Sequence, residues 1–254
     1  MILVIDVGNT NIVLGVFDGD DLVTSWRTGT DRRRTADDLG VFVRNLFYFQ
    51  GLDLVDVEAI VMSSVVPPMT PVICEMCSRY FRKVPLVVGP GVKTGMPIRY
   101  ENPREVGADR IVNAVSVAER YGAPSVIVDF GTAITFCAVS RSGEYLGGAI
   151  VPGIGVATEA LFEKAAKLPR IELLKPGQVI GKNTVASMQS GIYYGFIGQL
   201  EGIVQRIKTE IGGDAVVVAT GGMAELICSG TKCVDHIDPD ITLWGLKLIY
   251  ERNR

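Results

Sequence analysis

Apolar runs of strand length, broken by polar turns that carry glycine, open the chain: residues 3–6, 12–17 and 22–26 predict three antiparallel strands. The period then changes. Leu39, Phe42, Val43, Leu46 and Phe47 recur at helical spacing behind Thr35, which predicts a capped helix ending at Gly51. Asp38 stands where a carboxylate favours a helix N-terminus. An apolar run at 59–66 stopped by Pro67-Pro68, a helix at 70–82 and a short strand at 85–88 complete a β-β-β-α-β-α-β half. Glycine-rich loop chemistry at 89–95 leads to a helical pattern through Arg120.

The order then restarts. A strand from Ser125, a turn, a second strand and a third at 145–151 precede a helix to Ala166 and an irregular link to Gly181. Thr184 is expected to cap the longest helix, which runs to Ile211. A buried strand at 215–219, a short helix from Met223 and a last helix at 240–250 behind Asp238-Pro239 follow. The expected division is 1–122 and 123–254, two related α/β halves with mixed sheets facing a cleft.

The repeat extends to the residues at the strand ends. Asp6-Val7-Gly8-Asn9-Thr10 and Asp129-Phe130-Gly131-Thr132-Ala133 each follow an apolar strand and precede another, so each predicts a hairpin with an acid at its mouth. One such turn reads as a solvated Asp; two in matching contexts point to a ligand. Gly8 and Gly131 let backbone N–H groups approach phosphate oxygens, Asp6 and Asp129 can hold a cation beside them, and Thr10 and Thr132 add hydroxyl donors. Thr220-Gly221-Gly222 closes the last core strand and lets a flat group such as adenine lie against the backbone.

Composition narrows the chemistry. With 254 residues, 48% hydrophobic, 21% charged and a net charge of −3, the chain can bury a sizeable core and shows no basic surface for nucleic acid or anionic membrane. No apolar stretch reaches the roughly 18 residues a membrane span needs, so the cytoplasm is the expected compartment. His236 is the only histidine, which leaves almost no material for a His-based triad or metal site, and it is expected in a loop before the last helix. Of five cysteines, Cys74-x-x-Cys77 and Cys228/Cys233 could supply zinc ligands, but structural thiols are the better reading. Arg32-Arg33-Arg34 reads as a solvated loop, with nucleotide phosphates as its alternative partner. Gly191, Gly195, Gly198 and Gly202 share one face of the long helix, and four glycines cost it roughly 1 kcal/mol each. Close helix approach, inside the fold or across a dimer, is expected there.

Asp109-Arg110 begins a helix, where the helix dipole and the neighbouring cation both favour a carboxylate. Gly177 to Lys182 is one residue short of a P-loop, and no Gly-x-Ser-x-Gly elbow occurs.

These motifs, in this order, resemble the two phosphate motifs and the adenosine motif of the actin/hexokinase/acetate-kinase superfold. Gly107-Ala108-Asp109-Arg110, with Pro152-Gly153 and Leu161, narrows the resemblance to the type III pantothenate kinase family. The resemblance implies duplicated ribonuclease-H-like domains and ATP-dependent phosphorylation of pantothenate to 4′-phosphopantothenate, the first step of coenzyme A biosynthesis. It implies ATP contacts at Asp6, Val7, Gly8, Asn9, Thr10, Asn11, Ile12, Val13 and Thr132, beside the Gly221-Gly222 adenine turn. Pantothenate contacts would be Tyr100, Gly107, Ala108, Asp109, Arg110 and Thr184, with Asp109 as proton acceptor. Asp129 would serve a monovalent cation, K⁺ or NH₄⁺, and Asp6 the Mg²⁺ of the nucleotide. A homodimer with the long helix near its interface is implied too. Another small-molecule kinase of the superfold, or a nucleotide-binding regulator without catalysis, are the alternatives.

Overall fold

A computed structural model describes all residues, 1–254. Its strands are β1 (Ile2–Val7), β2 (Asn11–Asp18), β3 (Asp21–Gly29), β4 (Ala59–Ser64), β5 (Leu86–Val87), β6 (Ser125–Phe130), β7 (Ala133–Val139), β8 (Tyr145–Pro152), β9 (Val216–Gly221) and β10 (His236–Ile237). Its helices are α1 (Ala36–Phe49), α2 (Met69–Met76), α3 (Ala108–Arg120), α4 (Ile154–Lys164), α5 (Thr184–Ile211), α6 (Ala224–Cys228) and α7 (Ile241–Glu251).

The strands form two five-stranded sheets, ordered β3-β2-β1-β4-β5 and β8-β7-β6-β9-β10. Position for position these are one topology. The central strand of each, β1 or β6, pairs antiparallel with the strand after it and parallel with the fourth strand, β4 or β9. Both sheets are mixed, as the repeated strand pattern predicts.

Compact units cross the expected division at 122/123. One comprises Met1–Gly95, Asn102–Ser116 and Thr242–Arg254; the other comprises Met96–Glu101 and Val117–Ile241. The exchanged segments follow side-chain packing that is distant in sequence. Residues 96–101 lie on β8, where Arg99 N donates to Tyr145 O at 2.8 Å and Tyr145 N to Pro97 O at 2.9 Å. Helix α7 lies on β2: a Cβ on Gly15 would meet Leu243 Cδ1 at 3.0 Å, and Phe17 stands edge-on to Trp244 at 4.9 Å.

In the first unit, Leu3, Ile5, Val7, Leu14 and Met62 pack against Val43 and Phe47 of α1 and Ile73 of α2. The Thr35 cap is a full capping box: Asp38 N donates to Thr35 Oγ1 at 3.2 Å, and Thr35 N to Asp38 Oδ2 at 2.9 Å. The expected helix at 70–82 divides into α2 and a π-helical turn, Cys77–Phe81, which Arg82 ends with φ +55°. This turn seats the Tyr80 ring on Gly40 of α1, where a Cβ would stand 2.1 Å from it.

In the second unit, Val126, Val128, Phe136 and Val217 of the sheet pack against Tyr193, Ile197 and Leu200 of α5. Asn183, not Thr184, caps α5: its Oδ1 accepts from Ala186 N at 2.8 Å, which makes Thr184 the first helical residue. The α5 glycines are not a close approach within this chain. No atom lies within 4 Å of a Cβ built on Gly191, Gly195 or Gly198. His236 is in the edge strand β10 rather than a loop, its ring 4.9 Å from that of Tyr121. The last helix, α7, begins at Ile241 rather than 240, and Asp238 stands in the turn before it instead of capping it. Buried there, it accepts from Arg120, from Tyr121 Oη at 2.7 Å and from Asp240 N at 2.9 Å, which ties that turn to the end of α3. All five cysteines are free thiols, and no three His, Cys, Asp or Glu side chains gather into a metal-holding group. Burial pushes the Cys77 thiol up to about 12. No helix is long and apolar enough to cross a membrane.

Candidate active site

Asp6 lies near the end of β1, opposite Val13 of β2 and opposite Ser63 of β4. Ser63 Oγ, fully buried, donates to Asp6 Oδ1 at 2.6 Å. The turn beyond is tight: Gly8 N donates to Asn11 O at 2.9 Å, and a Cβ on Gly8 would stand 3.1 Å from that oxygen. Thr30 braces the loop from the side, its Oγ1 donating to Gly8 O at 2.7 Å and its N to Thr10 O at 2.9 Å. Arg32 reaches Asn9 Oδ1 at 3.4 Å, whereas Arg33 is held by Asp31 and Arg34 lies over the Phe42 ring. Two loop carbonyls are thus turned onto Thr30, while Asn9 and Thr10 stay exposed.

The same strand ends reach the start of α3. Val65, just past β4, donates its N–H to Val7 O at 3.0 Å, and its Cγ1 lies 3.6 Å from a Cβ built on Gly107. Asp109 occupies the first turn of α3, its Oδ1 accepting from Arg110 N at 2.8 Å. Burial raises the Asp109 carboxyl above the usual range, against the opposing pull of the Arg110 N–H and guanidinium. Arg110 is buried, and Asn113 one turn on accepts from Thr242 Oγ1 at 2.7 Å. A half-buried carboxylate with a raised affinity for a proton is suited to general-base work. The first unit therefore brings the Asp6 loop and the Gly107–Arg110 turn to one end of β1 and β4.

The second unit repeats the hairpin. Asp129 on β6 faces Thr135 of β7 and Thr220 of β9, a hydroxyl residue at the position Ser63 takes beside Asp6. Gly131 and Thr132 are exposed at the turn. Gly153, the N-cap of α4, holds that turn from behind: its N donates to Thr132 O at 3.0 Å. A Cβ there would stand 2.3 Å from Thr132 O and 2.4 Å from Gly131 O. Gly221 ends β9 at φ +96°, with a Cβ position 2.6 Å from Phe130 O, so only glycine fits. Gly222 is exposed and leads into α6. Asp129, Thr132, Gly221 and Gly222 thus cluster at the ends of β6 and β9.

Tyr100 and Thr184 sit elsewhere in this unit. Tyr100 rests on β8, and Thr184 lines a cavity of about 890 Å³ with Leu161, Lys182, Met188 and Phe196. Sequence reasoning did not find Ser63 as a partner of Asp6; a Ser63-Ser64 pair inside an otherwise apolar run was the available signal. Nothing local in the sequence marks what the missing side chains of Gly153 and Gly147 make room for.

Comparison with known proteins identifies the family. Residues 2–206 match the family model described as type III pantothenate kinase. The type III pantothenate kinase of Moorella thermoacetica is 61% identical over 253 residues, with 100% of each chain covered. That of Brevibacillus brevis is 56% identical over 254 residues, again with 100% of each covered. Among solved structures, a Thermus thermophilus ROK hexokinase superimposes with TM-score 0.50 at 17% identity, covering 100% of this chain and 99% of its own. A Campylobacter jejuni protein described as a Baf family transcriptional activator superimposes with TM-score 0.62 at 17% identity, covering 99% and 98%. At that identity the structures speak for the fold alone, a duplicated ribonuclease-H-like α/β architecture of the actin/hexokinase type.

Proposed function

Because the chain belongs to the type III pantothenate kinase family, we propose a residue-level account of how it transfers the γ-phosphoryl group of ATP to pantothenate. The reaction itself, at the entry to coenzyme A, follows from the family. The observation that carries the account is Asp109: a half-buried carboxylate with raised proton affinity, held in the first turn of α3 next to Arg110.

Asp109 takes the proton of the pantothenate hydroxyl as that oxygen attacks the γ-phosphorus, and the bond to the ADP oxygen breaks. Arg110 steadies the substrate carboxylate or the charge developing on the phosphoryl oxygens. Residues 6–13 and Thr132 receive the phosphates, and the Gly221-Gly222 turn lies against adenine. Tyr100, Gly107, Ala108 and Thr184 complete the contacts to pantothenate. With no covalent intermediate, positioning and fixed dipoles supply most of the rate enhancement.

Asp6 would hold Mg²⁺, with Ser63 orienting the carboxylate. A carboxylate oriented by a buried hydroxyl fits that ion, which usually binds one or two carboxylates along with substrate phosphates and waters. When bound, it neutralises phosphate charge. Asp129, beside Thr220, would hold K⁺ or NH₄⁺. The uncovered glycine face of α5 supports a homodimer, and the five free thiols support a cytoplasmic enzyme. An ADP-release assay tests the account: release should require pantothenate and fall when K⁺ is replaced by a bulky organic cation. Release with a hexose but not pantothenate would overturn the substrate, and indifference to K⁺ would overturn the cation site.

A further inference from the structure

Segment 97–100 is pinned to the start of β8 by more than its backbone. Ile98 forms a parallel bridge with Tyr145, and the Arg99 guanidinium reaches Glu144 Oε1 at 2.6 and 2.8 Å. Ser142 Oγ adds a third donor to the same Glu144 carboxylate at 3.0 Å, and Arg99 and Ser142 together hold that carboxyl below the usual range. Tyr100 follows immediately. Its ring lies over Gly147, where a Cβ would stand 3.2 Å from Cε2 and 3.3 Å from Cδ2.

Two adjacent glycines here answer to different neighbours. At Gly148 a Cβ would fall 1.7 Å from Phe136 O, so that glycine is required by the sheet itself. At Gly147 the backbone, with φ +117°, already favours glycine, and the atoms that a Cβ would meet belong to Tyr100 alone. Gly147 is buried beneath the ring while Tyr100 remains half-exposed, so one ring face rests on backbone and the rest is offered outward.

We propose that Gly147, together with the Arg99–Glu144 pair, is a positioning device that fixes the Tyr100 ring and thereby sets the affinity for pantothenate. The inference rests on the reading of Tyr100 as a pantothenate contact. Gly147 touches no substrate; it acts through the ring.

The test is a double-mutant cycle of Gly147→Ala and Tyr100→Ala, with KM for pantothenate, KM for ATP and kcat measured on each protein. Gly147→Ala should raise KM for pantothenate about tenfold, with kcat and KM for ATP nearly unchanged, the loss expected of one displaced substrate contact. In the Tyr100→Ala background the same change should add nothing to KM for pantothenate, the strain of a side chain at φ +117° appearing in Tm alone. If Tyr100→Ala leaves KM for pantothenate unaltered, the contact reading and the positioning role both fall. If Tyr100→Ala raises it but Gly147→Ala does not, or acts equally in both backgrounds, only the positioning role falls. Should Gly147→Ala not fold, Glu144→Gln loosens the same segment from a surface ion pair and is expected to raise KM for pantothenate about two- to threefold. No change in that variant overturns the proposal.

Discussion

A Cβ on Gly107 would stand 2.5 Å from Asp109 Oδ1. The missing side chain therefore makes room for the carboxylate against the first turn of α3. Gly107→Ala should displace it and lower kcat by about 10- to 100-fold, as expected for a reacting group moved by an ångström or less. Affinity for ATP should hold. Steady-state kinetics with both substrates decide the matter, and an unchanged kcat would show the carboxylate tolerates the shift.

Asp109→Asn removes the base and should cut kcat by about 10²-fold or more, again with ATP binding nearly intact. Because burial raises the Asp109 carboxyl, the base form develops at higher pH than for an ordinary Asp. The acid limb of the kcat profile should lie above the usual carboxylate range and flatten in the variant. The stability sign is opposite to that of an ion-paired Asp. A raised carboxyl favours folding below its unfolded pKa, and that contribution is lost as pH rises through the folded value. Asp109→Asn should consequently be neutral or stabilising in thermal melts at pH 7, and a marked loss of Tm there would contradict the assignment.

Ser63 orients Asp6 through a 2.6 Å hydrogen bond from a fully buried hydroxyl. Ser63→Ala should raise the Mg²⁺ concentration needed for half-maximal rate about tenfold, the scale of lost support behind a metal ligand. A Mg²⁺ titration identical to that of the parent protein would place the ion away from Asp6.

Asp238 is buried and accepts from Arg120, Tyr121 and Asp240 N. Its loss undoes the turn that leads into α7 and leaves Tyr121 Oη and Asp240 N without their acceptor, so Asp238→Ala should cost about 1–3 kcal/mol. Asp238→Asn, whose side-chain oxygen can still accept from Asp240 N, should cost less. Urea unfolding of both variants checks the order.

Legibility from sequence followed the range of the interaction. The two acid-mouthed hairpins and the Thr35 capping box were readable because each is completed within a few residues, whereas Asp238-Pro239 forms a turn ahead of α7, which begins at Ile241. The cap of α5 was misread by one position because Asn183 and Thr184 are both competent caps, and only the hydrogen bond to Ala186 N separates them. His236 joined a two-residue strand through pairing with Val218 and Ile237 through pairing with Ala219, a register set by β9 rather than by local pattern. In the site, Asp6 and Asp109 stood out as acids beside glycine or arginine. Ser63 and Gly147 did not, because their meaning lies in neighbours that the sheet register and the β8 crossing bring up from far along the chain.

Helix α7 has a consequence for how the protein is made. It covers β2 of the first sheet through Leu243, Trp244 and Lys247, the last of which bonds Asp20 at 2.7 Å, yet it follows every strand of the second sheet. A ribosome delivers the chain in order, and domains fold as their segments emerge. The second sheet is complete once β10 has appeared, whereas the Gly15–Phe17 face of β2, opposite the one that α1 and α2 cover, waits for the final helix. The sheet that is translated first is the last to be sealed, and a nascent chain stalled before Thr242 would present β2 to chaperones while its second unit had already closed.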